Sequence, residues 1–205
     1  KSGDLRIFIA GDFHYGALTC SRSSIRQMVG DIEKDKDAVL VLLGDLIEAI
    51  TPADKRWTTT SVAWQDKLFT PEEQAKAIVR DLKSLKGRIP VVLAGNHEWS
   101  LMNTVCFPEI IAEKLGSEYG GAACVLHFTW QDKPAFKIHL MHGSWTPSSN
   151  AKDVVQQDAN MRATLKQKLQ DQVGDAIGHF CGHGHRLLLQ PPTAHRQLYI
   201  TTSKT

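Results

Sequence analysis

Two histidines, His183 and His185, close a short apolar run in the stretch FCGHGH, each behind a glycine. Packed, solvated and metal-binding imidazoles all fit so short a pattern. What the other apolar runs end in decides between them. GDFHYG sets Asp12 and His14 after the first run, and GDLIE sets Asp45 and Glu48 after the second. GNHE sets Asn96, His97 and Glu98 after the third, and MHG sets His142 after a later one. A lone imidazole is most often a satisfied core or loop residue. Here that plainer explanation must hold at five run ends at once, nearly all beside glycine.

Ligands of an α/β sheet bind outside the carboxyl ends of its strands. The five clusters are therefore expected to converge, and glycine lets the backbone turn sharply beside a ligand. The groups that meet are two Asp, one Asn and four or five His. That mixture of hard oxygen and imidazole nitrogen suits first-row divalent cations: Mn, Fe, Zn, Co or Ni. It lacks the thiolates of structural zinc and the all-oxygen shell of calcium. So many ligands exceed what one ion takes from protein when water also binds. Two ions sharing a bridging carboxylate fit better, and such a pair ~4 Å apart clamps an in-line displacement at phosphorus. Read as alternate positions of an extended segment, His183 and His185 project to one side, an imidazole for each ion. Gly184 then leaves that side open.

The elements that carry these groups follow from apolar periodicity. LRIFIAGD (5–12), AVLVLLGD (38–45) and IPVVLAGN (89–96) read as strands. Ile25, Met28, Val29 and Ile32 have helical spacing within 21–37, where serines can cap the start. TPEEQAKAIVRDLKSLKG (70–87) predicts a capped helix: Thr70 at the N-cap, Pro71 at the first position, Gly87 past the end. FPEIIAEKLG (107–116) predicts a short one. ACVLHFTW (123–130) and AFKIHLMHG (135–143), joined by QDKP, predict a hairpin. A polar helix is expected over about 151–172, with Lys152, Arg162, Lys166 and Lys168 on a solvated face. Three short strands are expected over 176–183, 186–190 and 196–201. Residues from about 49 to 69 lack periodicity and read as a long loop or insertion. Strand–helix units followed by hairpins give an α/β fold, as one mixed sheet or two packed sheets with helices outside.

The 205 residues suffice for one sizeable domain, or at most two small ones. Their 42% hydrophobic and 22% charged content is that of an ordinary globular protein. No apolar run is long enough to span a bilayer. The chain opens at Lys1 without an apolar signal segment, which leaves room for a removed leader. A net charge of +2 gives no compositional case for nucleic-acid binding, although a local patch stays open. Cys20, Cys106, Cys124 and Cys181 form no CxxC pair. They read as mostly buried thiols of a protein in a reducing cytoplasm. The oligomeric state is not legible.

The ordered series GDxHxG, GDxxE, GNHE, HG and GHxH, spanning residues 11 to 185, resembles the calcineurin-like metallophosphoesterases. The resemblance implies a single domain over 1–205. It also implies a four-layer α/β/β/α sandwich: two mixed sheets flanked by helices, with a dinuclear metal site at the strand C-terminal ends. Carried over, Asp12, His14 and His185 hold one metal, Asn96, His142 and His183 hold the other, and Asp45 bridges them. The cofactors implied are two divalent transition-metal ions, manganese foremost, with Fe, Zn, Co or Ni as alternatives. His97 does not ligate; it protonates the leaving oxygen or stabilises charge on the phosphoryl group, a role suited to an imidazole. The nucleophile that the resemblance implies is a metal-bridging water or hydroxide. The substrate implied is a phosphomonoester or phosphodiester. A DNA- or nucleotide-directed nuclease or phosphodiesterase is the alternative, and a non-catalytic scaffold a more distant one.

Glu48 stands where many members carry Asp, and it reads either as support for a ligand or as a solvated loop carboxylate. Glu98 is expected to support the fold or the ligands. GNHEWS lacks the arginine of the GNHExR block of protein Ser/Thr phosphatases, which weakens a phosphoprotein reading. His127, His139, His179 and His195 match no block and read as structural or surface residues. Trp99 and Trp145 follow ligand blocks, where core or rim packing competes with lining the cleft; Trp57, Trp64 and Trp130 read as packing.

Overall fold

A computed structural model describes residues 4–52, 54–55, 57–58, 67–170, 172–191 and 198–201. Residues 53, 56 and 59–66 of the expected 49–69 insertion, Trp64 among them, and the segment holding His195 lie outside the described residues.

β1 (Arg6–Ala10), β2 (Ala38–Leu42), β3 (Val91–Val92) and β4 (Glu118–Tyr119) form one parallel sheet in that order. β5 (Ala123–Trp130), β6 (Lys133–Met141), β7 (Gly178–Cys181), β8 (Leu188–Gln190) and β9 (Leu198–Thr201) form a second, ordered β5-β6-β7-β9-β8. The second sheet mixes parallel and antiparallel pairs. The expectation of two mixed sheets thus holds for one of them; the first is parallel because helices cross between its strands.

Strand alternation sorts the core. From β2 and its extension, Val41 and Leu43 meet Val91, Leu93, Ile138 and Leu140 between the sheets. Leu40 and Leu42 point the other way, into a cluster with residues of α1 (Arg22–Glu33), α2 (Pro71–Leu82) and α4 (Phe107–Leu115). The far face of the second sheet is covered by α5 (Val154–Gln170). The order of layers is therefore helix, sheet, sheet, helix. Alpha-5 keeps the expected basic residues unburied, and on its other face Met161, Leu165 and Leu169 are buried against Cys181 and Leu188. A stripe recurring every four residues is narrow enough for a mostly polar helix to hide.

Local chemistry sets the ends. The Glu73 N–H donates to Thr70 Oγ1 at 3.2 Å, and the Thr70 N–H donates to Glu73 Oε2 at 2.9 Å, a reciprocal cap on α2. Alpha-4 stops at Gly116, whose φ of 67° places it in the left-handed region. Ser21 sits at the start of α1 without the expected cap; its hydroxyl lies 2.7 Å from Ser24 Oγ instead. Gln131 and Asp132, both at positive φ, turn the β5–β6 hairpin. Sequence periodicity gave no sign of the two-residue β4 or of the one-turn α3 (Asn96–Trp99).

Asp81 of α2 ties the helical layer to the loop after β1. Its Oδ2 accepts from Tyr15 OH at 3.1 Å and from Arg22 Nη2 at 2.9 Å, and its side chain is 6% exposed. Burial pushes the Asp81 carboxyl up, but the Arg22 guanidinium and the Tyr15 hydroxyl outweigh this and hold it below its usual range. A lowered carboxyl contributes stability above its ordinary pKa of about 4, and that contribution is lost as pH falls through the lowered folded value. Asp81→Asn should cost about 1–3 kcal/mol in urea unfolding at pH 7. The gap from the parent protein should shrink below about pH 4; a gap that is constant with pH contradicts this role for the carboxylate.

Candidate metal centre

Five strand ends from both sheets meet at one edge. Beta-1 leads to Asp12 and His14, β2 to Asp45, β3 to Asn96, β6 to His142, and β7 to His183 and His185. The first two ends are laced together. The Asp12 N–H donates to Gly44 O at 3.0 Å and the His14 N–H to Asp45 O at 2.9 Å. Tyr15 and Glu48 then resume strand-like pairing, with the Tyr15 N–H on Leu46 O and the Glu48 N–H on Tyr15 O, each at 2.9 Å. Backbone is thus fixed on both sides of the ligating positions. Asp12, His14, Asp45, His183 and His185 all have φ between 47° and 64°. Left-handed backbone costs a non-glycine residue roughly 1–2 kcal/mol, so the surrounding bonds hold these residues in place against a local preference.

Glu98 supplies much of that constraint. Fully buried, its carboxylate accepts from the N–H groups of Asp45 (3.1 Å), Leu46 (2.5 Å), Ile47 (3.0 Å) and Gly95 (2.9 Å). Burial and the nearby Asp45 charge push its carboxyl up. Every one of these partners is a donor, so the ionised form is the one they hydrogen-bond. The arrangement requires glycine at residues 44 and 95. A Cβ on Gly95 would overlap the Asp45 carboxylate, and one on Gly44, at φ +87°, would overlap the Gly95 backbone.

Three groups of side chains offer ligand atoms within 4.8 Å of one another. One joins Asp12, His14, Asp45 and His185; a second joins Asp45, His142 and His183. Asp45 belongs to both. Its Oδ2 lies 3.2 Å from His142 Nε2 and 3.8 Å from His14 Nε2. Asn96 Oδ1 completes the second group, 3.1 Å from His142 Nε2 and 2.7 Å from His183 Nδ1. The third group is His14, Glu48 and His97. There the imidazole Nδ1 atoms are engaged by Glu48, that of His14 by Oε2 at 2.8 Å and that of His97 by the backbone O at 2.6 Å.

The donor set fits cations. His142 Nδ1 lies 2.8 Å from Leu43 O, an acceptor only, so that nitrogen carries the proton. That turns Nε2 of His142 toward two more acceptors, Asp45 Oδ2 and Asn96 Oδ1; a proton on Nε2 bonds to Asp45, and a cation would take that proton's place. His14 repeats the pattern: Nδ1 turns to Glu48, while Nε2 turns inward, 3.2 Å from His185 Nε2. A ring whose outer N–H meets a carbonyl or carboxylate and whose inner lone pair meets other ligands is the arrangement of metal-bound histidine. Burial raises the Asp45 carboxyl, but the His142 hydrogen bond and charge and the His97 N–H outweigh it and lower the value to about 2. Burial and then the His142 charge lower His183, favouring its neutral, ligating form.

The structure brings all seven expected ligands, His97, Glu48 and Glu98 to this edge. It corrects the expected geometry of GHGH. Beta-7 ends at Cys181, and His183 and His185 both adopt left-handed φ in a tight turn, with the Gly184 N–H donating to Gly182 O at 2.7 Å. The segment is not extended, so strand alternation does not set the direction of the two imidazoles. Gly184 is not open space either: a Cβ there would press on Thr201 Oγ1. Trp145 packs on the α5 cluster, whereas Trp99 is 54% exposed. His139 and His179 face each other across β6 and β7, Nδ1 to Nδ1 at 3.2 Å, and both are buried. Thr146 lines the cleft beside Asn96 and His97, and no motif had singled it out.

A family model described as calcineurin-like phosphoesterase matches residues 5–187. No curated protein matches the chain.

Glu98→Gln keeps shape but turns an amide NH2 toward backbone donors. It should cost about 1–3 kcal/mol, read by urea unfolding of the metal-free protein. Unchanged stability would show that the four N–H groups do not depend on this carboxylate.

Proposed function

The chain belongs to the calcineurin-like phosphoesterase family, and from that premise we propose that it hydrolyses phosphate mono- or diesters with two divalent transition-metal ions, manganese foremost. The family makes the chain a hydrolase of phosphoric esters that uses divalent metal. The observation that carries the finer reading is the position of Asp45, whose carboxylate belongs to two ligand groups at once. One group would use Asp12, His14 and His185, the other Asn96, His142 and His183. Bound there, the cations would supply Lewis acidity toward the phosphoryl oxygens and a water acidified toward neutral pH.

The chain's own groups have distinct tasks in this reading. Asp45 stays ionised at every working pH, since its pKa lies at about 2. Glu48 holds the His14 ring by Oε2 and the His97 ring by its backbone oxygen, so one residue orients a ligand and the proton donor together. His97 Nδ1 keeps its proton on Glu48 O, so the proton given to the leaving oxygen would be a second one, carried on Nε2 of the imidazolium, which leaves the ring neutral after transfer. The His97 N–H also donates to Asp45 Oδ1 at 2.9 Å, locking the proton donor to the bridging carboxylate. Asn96, His97, Thr146, His183 and His185 face a cleft of about 350 Å³, room for a phosphoryl group and part of its leaving group. Four free thiols support a reducing, cytoplasmic setting. Among the described residues no helix is long and apolar enough to cross a membrane.

Manganese-loaded protein should cleave p-nitrophenyl phosphate or its bis ester, lose turnover to EDTA and regain it with added manganese. His97→Ala should lower kcat by ~100-fold or more while bound metal, read by elemental analysis, is retained. Oligonucleotides, single- and double-stranded, belong in the same screen. No turnover on any phosphate ester with metal bound, or full turnover by His97→Ala, would overturn the assignment.

A further inference from the structure

A groove of about 510 Å³ runs between α2 and α4 on the outer helical face. Its floor is apolar: Ala75 and Val79 from α2, Val105 before α4, Phe107 and Ile110 from α4. Ile110 is 39% exposed although it belongs to this apolar strip. The rim is cationic. Lys76, Arg80, Lys83 and Lys114 line it against one carboxylate, Glu72. Such a local excess stands out on a chain whose net charge is only +2. Nearby anions compensate the rim weakly. Arg80 Nε is 3.8 Å from Asp81, already bonded to Arg22 and Tyr15, and Lys114 Nζ is 3.9 Å from an exposed Glu113.

The layout of the charges selects the occupant. Lys76 and Arg80 of α2 and Lys83 at its C-cap fall at i, i+4 and i+7, one row along the helix and its end. At 1.5 Å per residue that row is about 10 Å long. Charge spread along a wall matches acidic side chains repeated along a helix, not the single head group of a lipid. The one aromatic ring of the floor, Phe107, is 7% exposed, so bases find no stacking platform. We propose that this groove docks an amphipathic α-helix of a partner protein, with its apolar stripe on Val79, Val105 and Ile110 and a flank of Asp or Glu along the α2 row. The proposal is independent of the hydrolytic reading: no lining residue belongs to the metal centre.

The test uses 15N-labelled, metal-loaded full chain and two synthetic 14-residue helical peptides. Both carry Leu at i, i+3, i+4 and i+7; one is flanked by Glu, the other by Lys. Amide shifts on adding the Glu peptide should map to α2, α4 and residues 100–106. Ile110→Glu should weaken its binding at least ~10-fold. Lys76→Glu with Lys83→Glu should do the same and reverse the preference to the Lys peptide. Turnover of p-nitrophenyl phosphate by these variants should equal the parent's, which separates this surface from the catalytic assignment. Equal binding of the two peptides, shifts elsewhere, or indifference to Ile110→Glu would overturn the proposal. So would tighter engagement of the same amides by anionic phosphatidylglycerol vesicles or a single-stranded oligonucleotide, or a dimer abolished by Ile110→Glu.

Discussion

The carboxylate of Glu98 is the constraint on which the metal edge depends. Four backbone N–H groups from two separate strand ends converge on it. Without that acceptor, the turn after β2 would carry unpaired donors in a region where Asp45, Leu46 and Ile47 are at most 1% exposed. Unpaired buried donors cost about 1–3 kcal/mol each. The same carboxylate fixes the start of α3, so Asn96 and His97 are placed relative to Asp45 through one group. Two glycines make the approach possible, because a Cβ at Gly44 or Gly95 would collide with the opposite segment.

Stability and chemistry pull in opposite directions here. Left-handed backbone at five of the seven expected ligands is locally unfavourable. So is the gathering of acceptor atoms around Asp45 and Asn96. The sandwich compensates elsewhere, through the inter-sheet cluster of Val41, Leu43, Val91, Leu93, Ile138 and Leu140 just behind the site. Val41, Leu43, Leu93 and Leu140 have no exposed surface. Rigid strands thus end in strained turns at the edge where the ligand atoms gather.

Much of this edge was legible in the chain. Strand ends in an α/β protein converge for topological reasons, so five polar endings after five apolar runs sufficed to bring Asp12, Asp45, Asn96, His142 and His185 together. Pairwise detail was not legible. Nothing in GHGH distinguishes an extended segment from a tight turn with left-handed φ at both histidines, because histidine rarely adopts that conformation without tertiary support. Support from Glu98 is expected from GNHE, but which groups it holds is not legible there, since its partners are backbone groups from a segment some fifty positions away. The buried face of α5 is not legible either, because three buried residues in seventeen give a weak stripe. Trp145 resolves as packing once α5 is placed over β7 and β8.

We propose that Asp45 serves two cations held by two sets of side chains. Anomalous diffraction from a manganese-soaked crystal tests it most directly. The account predicts two peaks per chain: one among Asp12, His14 and His185, the other among Asn96, His142 and His183, with Asp45 touching both. A single peak, or one held by His14, Glu48 and His97 instead, would contradict it.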